Sequence, residues 1–452
     1  MKNTFYIKRS KMVLFLCITV FYLSPLLAQN ANYQDLRIAS VKEVYEDSLN
    51  NRIERENLLN VNSSNISTFE NFLSGNWGGI RNTFQVNGLD FQFIYKGEIF
   101  SSLSGGIERG YSLLDNTDII INADMEKLLG WKNGSILLQF LGNSGDSPSD
   151  LAGVMQGISN IETIPTWKIY QLLFQQKFFD EKFSVLFGLF DLNSEFDFRE
   201  TSSIFLNPSY GIGPEFSQSG LNGPSIFPTT SLSLMMKYNF ENGYFLKSAL
   251  FDGVPGNPDN PLGTQIILNK DDGLLLISET GIENRVGDKL VNKYSVGLWM
   301  YTSDFEMYSL DENIKNYEKN FGAYINIEKL ITELSSSQAI SFFFRVGYAN
   351  QNVNPVDSYL GFGLYFSRIL SENDQLGFAF SYEHNSQSFL ETIKVSEKYF
   401  PRQYEIEFEA TYSYQITKWL SIQPDLQYFI NPTFCKDSNH CLLFGSRIKF
   451  SI

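Results

Sequence analysis

The sequence predicts an all-β fold: a transmembrane antiparallel β-barrel of sixteen strands with a short N-terminal extension. Three observations lead there. The chain opens on a secretory signal, its later apolar residues alternate with polar ones, and the alternation runs to the last residue. Within residues 442–452, Leu442, Phe444, Ile448, Phe450 and Ile452 share one face, while Leu443, Gly445, Arg447, Lys449 and Ser451 share the other. Successive strand side chains point to opposite faces, so one face is apolar and the other carries two full charges.

At the N-terminus, Lys2, Lys8, Arg9 and Lys11 precede an apolar core over residues 12–27, and Ala28 offers a small residue for cleavage. Residues 1–28 therefore read as a signal peptide rather than an anchor, the apolar stretch being short and broken by Pro25. Residues 29–70 are polar and lack alternation. They read as a periplasmic extension, with a helix over 39–59 and an Asn/Ser linker over 60–67, or as an unstructured tail. The barrel occupies residues 71–452. No later stretch approaches the roughly 20 apolar residues of a spanning helix. In lipid an unpaired backbone group has no partner, so a closed barrel is the spanning form that remains.

The strands fall at 89–100, 111–124, 134–143, 166–178, 183–193, 231–240, 244–252, 273–284, 292–303, 320–327, 339–350, 358–369, 375–386, 402–415, 420–431 and 441–452. In 375–386, for example, Leu376, Phe378, Phe380 and Tyr382 oppose Gly377, Ala379, Ser381 and Glu383. No helical segments long enough to cover so many apolar faces are evident, so those faces are expected to meet lipid. Tight joins at 180–182, 241–243, 371–375 and 416–419 alternate with long ones at 144–165, 194–230, 253–272 and 387–401. Short periplasmic turns and longer external loops characterise outer-membrane barrels, and an even strand count places both termini in the periplasm. The aromatic share of 15% suits the interfacial girdles of such barrels.

The net charge of −15 argues against nucleic acid as a partner, since phosphate binding needs clustered Lys and Arg. Cys435 and Cys441 are close enough in sequence to pair in an oxidising compartment, a disulfide contributing roughly 2 kcal/mol. With His440 they would hold a metal only if a fourth ligand joined them, and none is evident. No cofactor is expected.

Gly75-Asn76-Trp77-Gly78-Gly79-Ile80-Arg81 resembles the G-D/N-W-G-G-x-R opening of the carbohydrate-selective porins, the OprB-like family. The similarity continues through Gly88-Leu89, Tyr95-Lys96-Gly97-Glu98, Ser104-Gly105-Gly106 and Gly110. It resumes at 156–162, then at Phe187-Gly188-Leu189-Phe190-Asp191, Glu195-Phe196 and 422–428. Asn76 stands where Asp is more usual, and residues 29–70 do not align. The resemblance implies a sixteen-stranded outer-membrane barrel that passes small sugars by diffusion. Outer-membrane lipid and lipopolysaccharide would surround it, and further copies of the chain are possible neighbours.

A diffusion channel needs a polar lumen, a constriction and weak binding. By alternation Lys96, Glu98, Asp118, Asp124, Arg345, Glu383, Glu405, Glu407 and Arg447 face the lumen, either touching solute or merely hydrating and bracing the wall. Arg345 and Glu407, both mid-strand, are the leading candidates for solute contact, with Glu98 and Asp118 beside them. Two loops are candidates for folding inward. Residues 144–165 carry Glu162 and lead into Trp167, a sugar platform or an interfacial girdle residue; residues 194–230 carry Glu195, Arg199, Tyr210 and Phe216. Trp77 with Gly78-Gly79 is expected to anchor a short plug or the start of the barrel. His384 and Ser386 fall on one strand face and suggest a hydrolase only vaguely, because that face is the lipid-facing one and no third group orients the base. Asp-rich patches at 146–150 and 271–272 lack calcium-loop spacing. The competing functions are a general, weakly cation-preferring porin, a channel for another small nutrient, and a non-conducting surface or structural barrel whose loops block the bore.

Overall fold

A computed structural model describes residues 71–310, 315–333, 338–371, 373–396 and 401–452. The signal peptide and the extension over residues 29–70 lie outside the described residues. Sixteen antiparallel strands close into one barrel in which each strand pairs with its sequence neighbours and β1 pairs with β16. They are β1 (Leu89–Gly105), β2 (Tyr111–Asp124), β3 (Gly134–Gly145), β4 (Thr166–Phe178), β5 (Phe183–Phe190), β6 (Ser231–Asn239), β7 (Tyr244–Asp252) and β8 (Leu274–Val286). There follow β9 (Lys289–Glu306), β10 (Tyr317–Glu333), β11 (Ala339–Ala349), β12 (Val356–Ser367), β13 (Asp374–Asn385), β14 (Tyr404–Thr417), β15 (Leu420–Ile430) and β16 (His440–Ser451).

The alternation that marked the strands also sets their faces. In β14, Tyr404 and Phe408 are exposed on the outside whereas Glu405, Glu407 and Glu409 are buried inside. The same inversion of a soluble protein holds in β16, where Phe444 is exposed and Leu443 buried. Among the described residues no helix is long and apolar enough to cross a membrane. Most strand limits agree with the sequence reading to within two residues, and the largest differences have a cause. β8 and β9 run two and three residues further toward each other than expected because Gly287, at φ 61°, allows a turn of only Gly287-Asp288. β10 is longer at both ends, where charged residues such as Glu318, Lys319 and Glu333 masked the pattern.

Both described ends of the chain meet at the short-turn end of the barrel. Arg81, in a helix over Ile80–Val86, is buried and closes the seam between β1 and β16. Its guanidinium donates to the carbonyls of Gly75 (3.1 Å), Phe91 (2.8 Å) and Ile452 (3.2 Å) and lies over the rings of Phe72 and Trp77. Trp77 itself packs edge-on near Phe91 and Phe93, so the Trp-Gly-Gly motif marks the start of the barrel. The Leu73 amide adds a bond to the Ser451 carbonyl at 2.9 Å.

Replacing Arg81 with Ala strands buried carbonyls of β1 and of the C-terminus, and an unmet buried acceptor costs about 1–3 kcal/mol. The R81A barrel should therefore lose its heat-resistant, fast-migrating form at lower temperature than the wild type on semi-native gels.

A constriction built by two infolded connections

Two connections at the long-loop end enter the bore, and the inward-facing charges of the wall hold them there. The connection between β5 and β6 turns inward at Leu192–Ser194, where the Asp191 carboxylate caps the turn by accepting from the Asn193 amide. Leu192, Phe196, Ile212 and Phe216 then bury against Phe190, Phe251, Trp299 and Tyr301 of the wall, with Phe216 stacked on Trp299 at 4.6 Å between ring centroids. A hydrophobic core thus lies inside the barrel, on the side of β5–β10.

Beyond that core the attachment is ionic. Asp197 adopts φ 52° and receives Arg345 through Nε (3.0 Å) and Nη2 (2.7 Å), Arg199 through Nη1 (2.7 Å) and Asn326 through Nδ2 (3.0 Å). The opposite edge of the Arg345 guanidinium forms a bidentate pair with Glu215, at 2.9 and 2.6 Å. Arg345 is 0% exposed. Two glycines make room for this clamp: a Cβ at Gly347 would overlap the Glu215 carboxylate, and one at Gly213 would overlap the Arg345 guanidinium. Further along, the Thr201 amide donates to Glu328 of β10 at 2.6 Å, and Lys293 of β9 donates to the Phe198 carbonyl at 2.6 Å. Glu195 pairs with Lys237 of β6 and Lys247 of β7, at 3.2 and 3.1 Å.

The far wall holds the same connection by its carboxylates. Glu409 accepts from the amides of Leu206 (2.6 Å) and Asn207 (3.0 Å), and Glu407 accepts from the Tyr210 hydroxyl. Glu405, third in that row of β14, holds the other loop by accepting from the amides of Met155 (3.0 Å) and Gln156 (3.0 Å). The connection between β3 and β4 begins with a helix over Pro148–Ala152, whose first amides Glu162 ties down: the Ser149 amide donates to it at 3.0 Å and the Ser149 hydroxyl at 2.8 Å. It then descends beside β1 and β16. There Glu98 accepts from Ser159 at 2.5 Å and from Arg447, and Arg447 also bonds Asn160. The two loops join where the Asn160 amide meets the Leu206 carbonyl at 2.8 Å.

Most residues expected to touch solute have other occupations. Arg345, Glu407, Glu98 and Arg199 do lie in the bore, but buried beneath the loops they position. Glu162 braces its own loop, and Trp167 is 61% exposed on the outer face, so neither lines the bore. Asp118 keeps a lumen-facing place, 3.3 Å from Lys96. The expected disulfide is absent: Cys435 and Cys441 are both buried free thiols. The Cys441 thiol bonds Ser102 and packs with Phe100 and Leu443, an environment that holds it as a core residue. Ser386 does not share the face of His384; it is buried and donates to the Pro355 carbonyl, while His384 pairs with Asp357 at 2.9 Å. Among the described residues no group of three His, Cys, Asp or Glu side chains is placed to hold a metal.

Sequence reasoning missed Asp197, Glu215 and Asn326, the partners that make the clamp. A signal for them existed: an arginine at mid-strand on the inner face needs counter-charges, and the long loop supplies acidic residues on both sides of its Phe and Tyr cluster.

Electrostatics give the clamp a pH limit. Burial by itself would raise the Glu195 carboxyl, but Lys237 and Lys247 overcome this and hold it at about 2. Burial likewise opposes ionisation of Asp197, and Arg345 with Arg199 reverses the shift to below the usual range. A depressed carboxyl stabilises the folded loop fully above its ordinary pKa and loses that contribution as pH falls through its folded value.

The family model described as "Carbohydrate-selective porin, OprB family" matches residues 108–452. "Porin B" of Pseudomonas aeruginosa is 24% identical over 417 residues, covering 84% of this chain and 90% of that protein. A "Putative porin QuiX" of Acinetobacter baylyi is 21% identical, covering 84% and 93%. Among solved structures, Pseudomonas putida OprB at high pH superposes with a TM-score of 0.75 at 21% identity, covering 85% of this chain and 99% of that one.

Two outcomes follow for the clamp. Arg345→Ala leaves Glu215 buried without its cation and Asp197 with Arg199 alone, a loss of about 3–5 kcal/mol, and should raise single-channel conductance as the loop detaches. In the wild type, loop opening should be quiet near neutral pH and appear as flickering current between roughly pH 4.5 and 2, the span set by Glu195.

Proposed function

The chain belongs to the carbohydrate-selective porin (OprB) family, and from that premise we propose a path for the sugar through the bore. The protein is an outer-membrane porin for diffusion of small carbohydrates. Passive passage requires no bond-making group, and the bore's charged residues serve to shape it. We infer that solute passes the wall of β1–β4 at the level of Lys96, beside the place where the β3–β4 connection meets Glu98.

One observation carries this reading. On β10–β15 the inward side chains Asn326, Glu328, Arg345, Glu383 and Glu405 are sealed beneath the loops, whereas on β1 the Lys96 side chain keeps 21% of its surface accessible. Lys96 begins a polar belt that crosses four strands. Its ammonium meets Asp118 at 3.3 Å, Gln139 donates to Asp118 at 2.9 Å, and Gln171 donates to Gln139 at 2.7 Å. The belt ends where the Asp191 amide, at the root of the infolded loop, donates to Gln171 at 3.0 Å.

Lys96 is the open member of this row, Asp118, Gln139 and Gln171 being only 5%, 7% and 3% exposed, and its chemistry suits a sugar. Carboxylate and amide oxygens accept from hydroxyl groups, and ammonium and amide N–H groups donate to them. Each exchange replaces a bond to water, so the net gain per contact is about 1 kcal/mol. Sites of that strength slow a solute without retaining it, as a channel requires.

The test is single-channel current in a planar bilayer, titrated with mono- and disaccharides. Saturable block is expected, with Lys96→Ala and Asp118→Asn each weakening it about fivefold, the equivalent of about 1 kcal/mol. Current that no sugar perturbs would overturn the selective path. Block that survives both substitutions would move the path to another part of the wall.

A further inference from the structure

One sector of the wall is not made of paired strands. β5 pairs with β4 only from Leu172–Leu189 downward to Phe178–Phe183, because the chain turns into the bore at Asp191. Residues 166–171 of β4 pair with β3 on their other side, and the edge toward β5 has no strand partner. In hydrocarbon such an edge is untenable unless other groups meet its amides and carbonyls.

Side chains from two distant connections meet them. The Tyr170 carbonyl accepts from the Thr230 hydroxyl. The Ile169 amide donates to the Thr264 hydroxyl at 2.6 Å, and that hydroxyl donates to the Ile169 carbonyl at 2.9 Å. The Gly263 amide donates to the Thr166 hydroxyl at 3.0 Å, and Lys168 reaches the Pro261 carbonyl at 3.3 Å. A single stretch, residues 261–264 of the connection between β7 and β8, thus stands along the free edge in the place of an extended β5.

That stretch and its continuation alternate. Leu262, Thr264, Ile266 and Leu268 are exposed, while Gly263, Gln265 and Ile267 between them are partly covered. Ile266 and Leu268 are 55% and 63% exposed. Register sets the face on which the strap's edge lies: Ile169 is opposite Phe140, Phe140 opposite Ile119, and Ile119 opposite Phe93, all on the outer face. The outer residues of the strap are therefore continuous with the band that faces lipid, with Trp167 beside them.

We propose that residues 261–268 form a wall strap whose outer face, Leu262, Ile266 and Leu268, docks on the acyl chains of the outer leaflet. The inference rests on the outer-membrane reading above. A connection that the sequence presents as an external loop is on this account part of the membrane-embedded surface. Burying Leu and Ile side chains in an apolar phase is favourable, and three of them on one face keep the strap seated.

The experiment places a nitroxide at Ile266→Cys and, separately, at Leu268→Cys, in the full-length barrel reconstituted in lipid. Asp259→Cys serves as an aqueous control, and the wild type, in which Cys435 and Cys441 are buried, as the blank. Collision rates are measured with oxygen, which concentrates in hydrocarbon, and with a water-soluble nickel chelate. The strap is supported if oxygen dominates at 266 and 268 while nickel dominates at 259. Nickel dominating at 266 and 268 would overturn it, placing the segment in water. Low rates with both reagents would also overturn it, by showing protein cover such as a second copy. Sugar block of the current, recorded on the same labelled protein, separates failure of the strap from failure of the porin reading. If one variant does not reach its heat-resistant folded form, the other decides.

Discussion

A backbone amide or carbonyl in hydrocarbon has no solvent to turn to, and every other feature of this molecule follows from meeting that demand. Sixteen strands satisfy it by pairing around a closed circuit, and Arg81 secures the seam by collecting carbonyls from β1 and from the C-terminus. Where β5 stops short so that its successor can enter the bore, hydroxyls of Thr230 and Thr264 take over the work of a neighbouring strand. The infolding of the constriction and the patching of the wall are thus two sides of one event. A loop cannot leave the wall early without something standing in for it.

Once the outside is committed to lipid, the inside becomes the place for both charge and core. One side of the bore is packed like the interior of a soluble domain, with Phe216 stacked on Trp299 and Phe196 in the same cluster. Beside that core, buried ions face one another rather than water. Arg345 lies between Asp197 and Glu215, an arrangement in which each charge would be costly alone. Such a site gives the loop one position instead of many, because a guanidinium fork accepts two carboxylates only in fixed geometry. Rigidity of the constriction is what a selective channel requires, and neutral packing alone specifies it less sharply.

The alternation of side chains made the barrel legible in the sequence, since lipid outside and water or protein inside impose the same two-residue period on every strand. It failed where the period was blurred by charge at both ends of β10, and at the turn made possible by Gly287. The candidate site was legible only as a list of inward positions. Sequence pattern states which way Arg345 and Glu407 point, but not that a loop more than a hundred residues earlier in the chain comes to lie on them. Trp167 shows the limit from the other direction: it lies four positions before inward-facing Gln171, so unbroken alternation would turn it inward, but a bulge at Tyr170 leaves it on the outer face. Cys435 and Cys441, near in sequence, are both buried as free thiols, and Cys441 packs into the cluster with Phe100 and Leu443.

The row Glu405, Glu407 and Glu409 has a bearing on how the barrel is assembled correctly. Because the side-chain period is two, a slip of β14 by one residue exchanges all inner positions for outer ones. Three carboxylates would then be driven into hydrocarbon while Ile406, Phe408 and Ala410 turned inward, and both loops would lose their moorings together. The acidic row is in effect a proofreading device: it makes the nearest wrong alignment of the wall fail on both sides of the sheet at the same time.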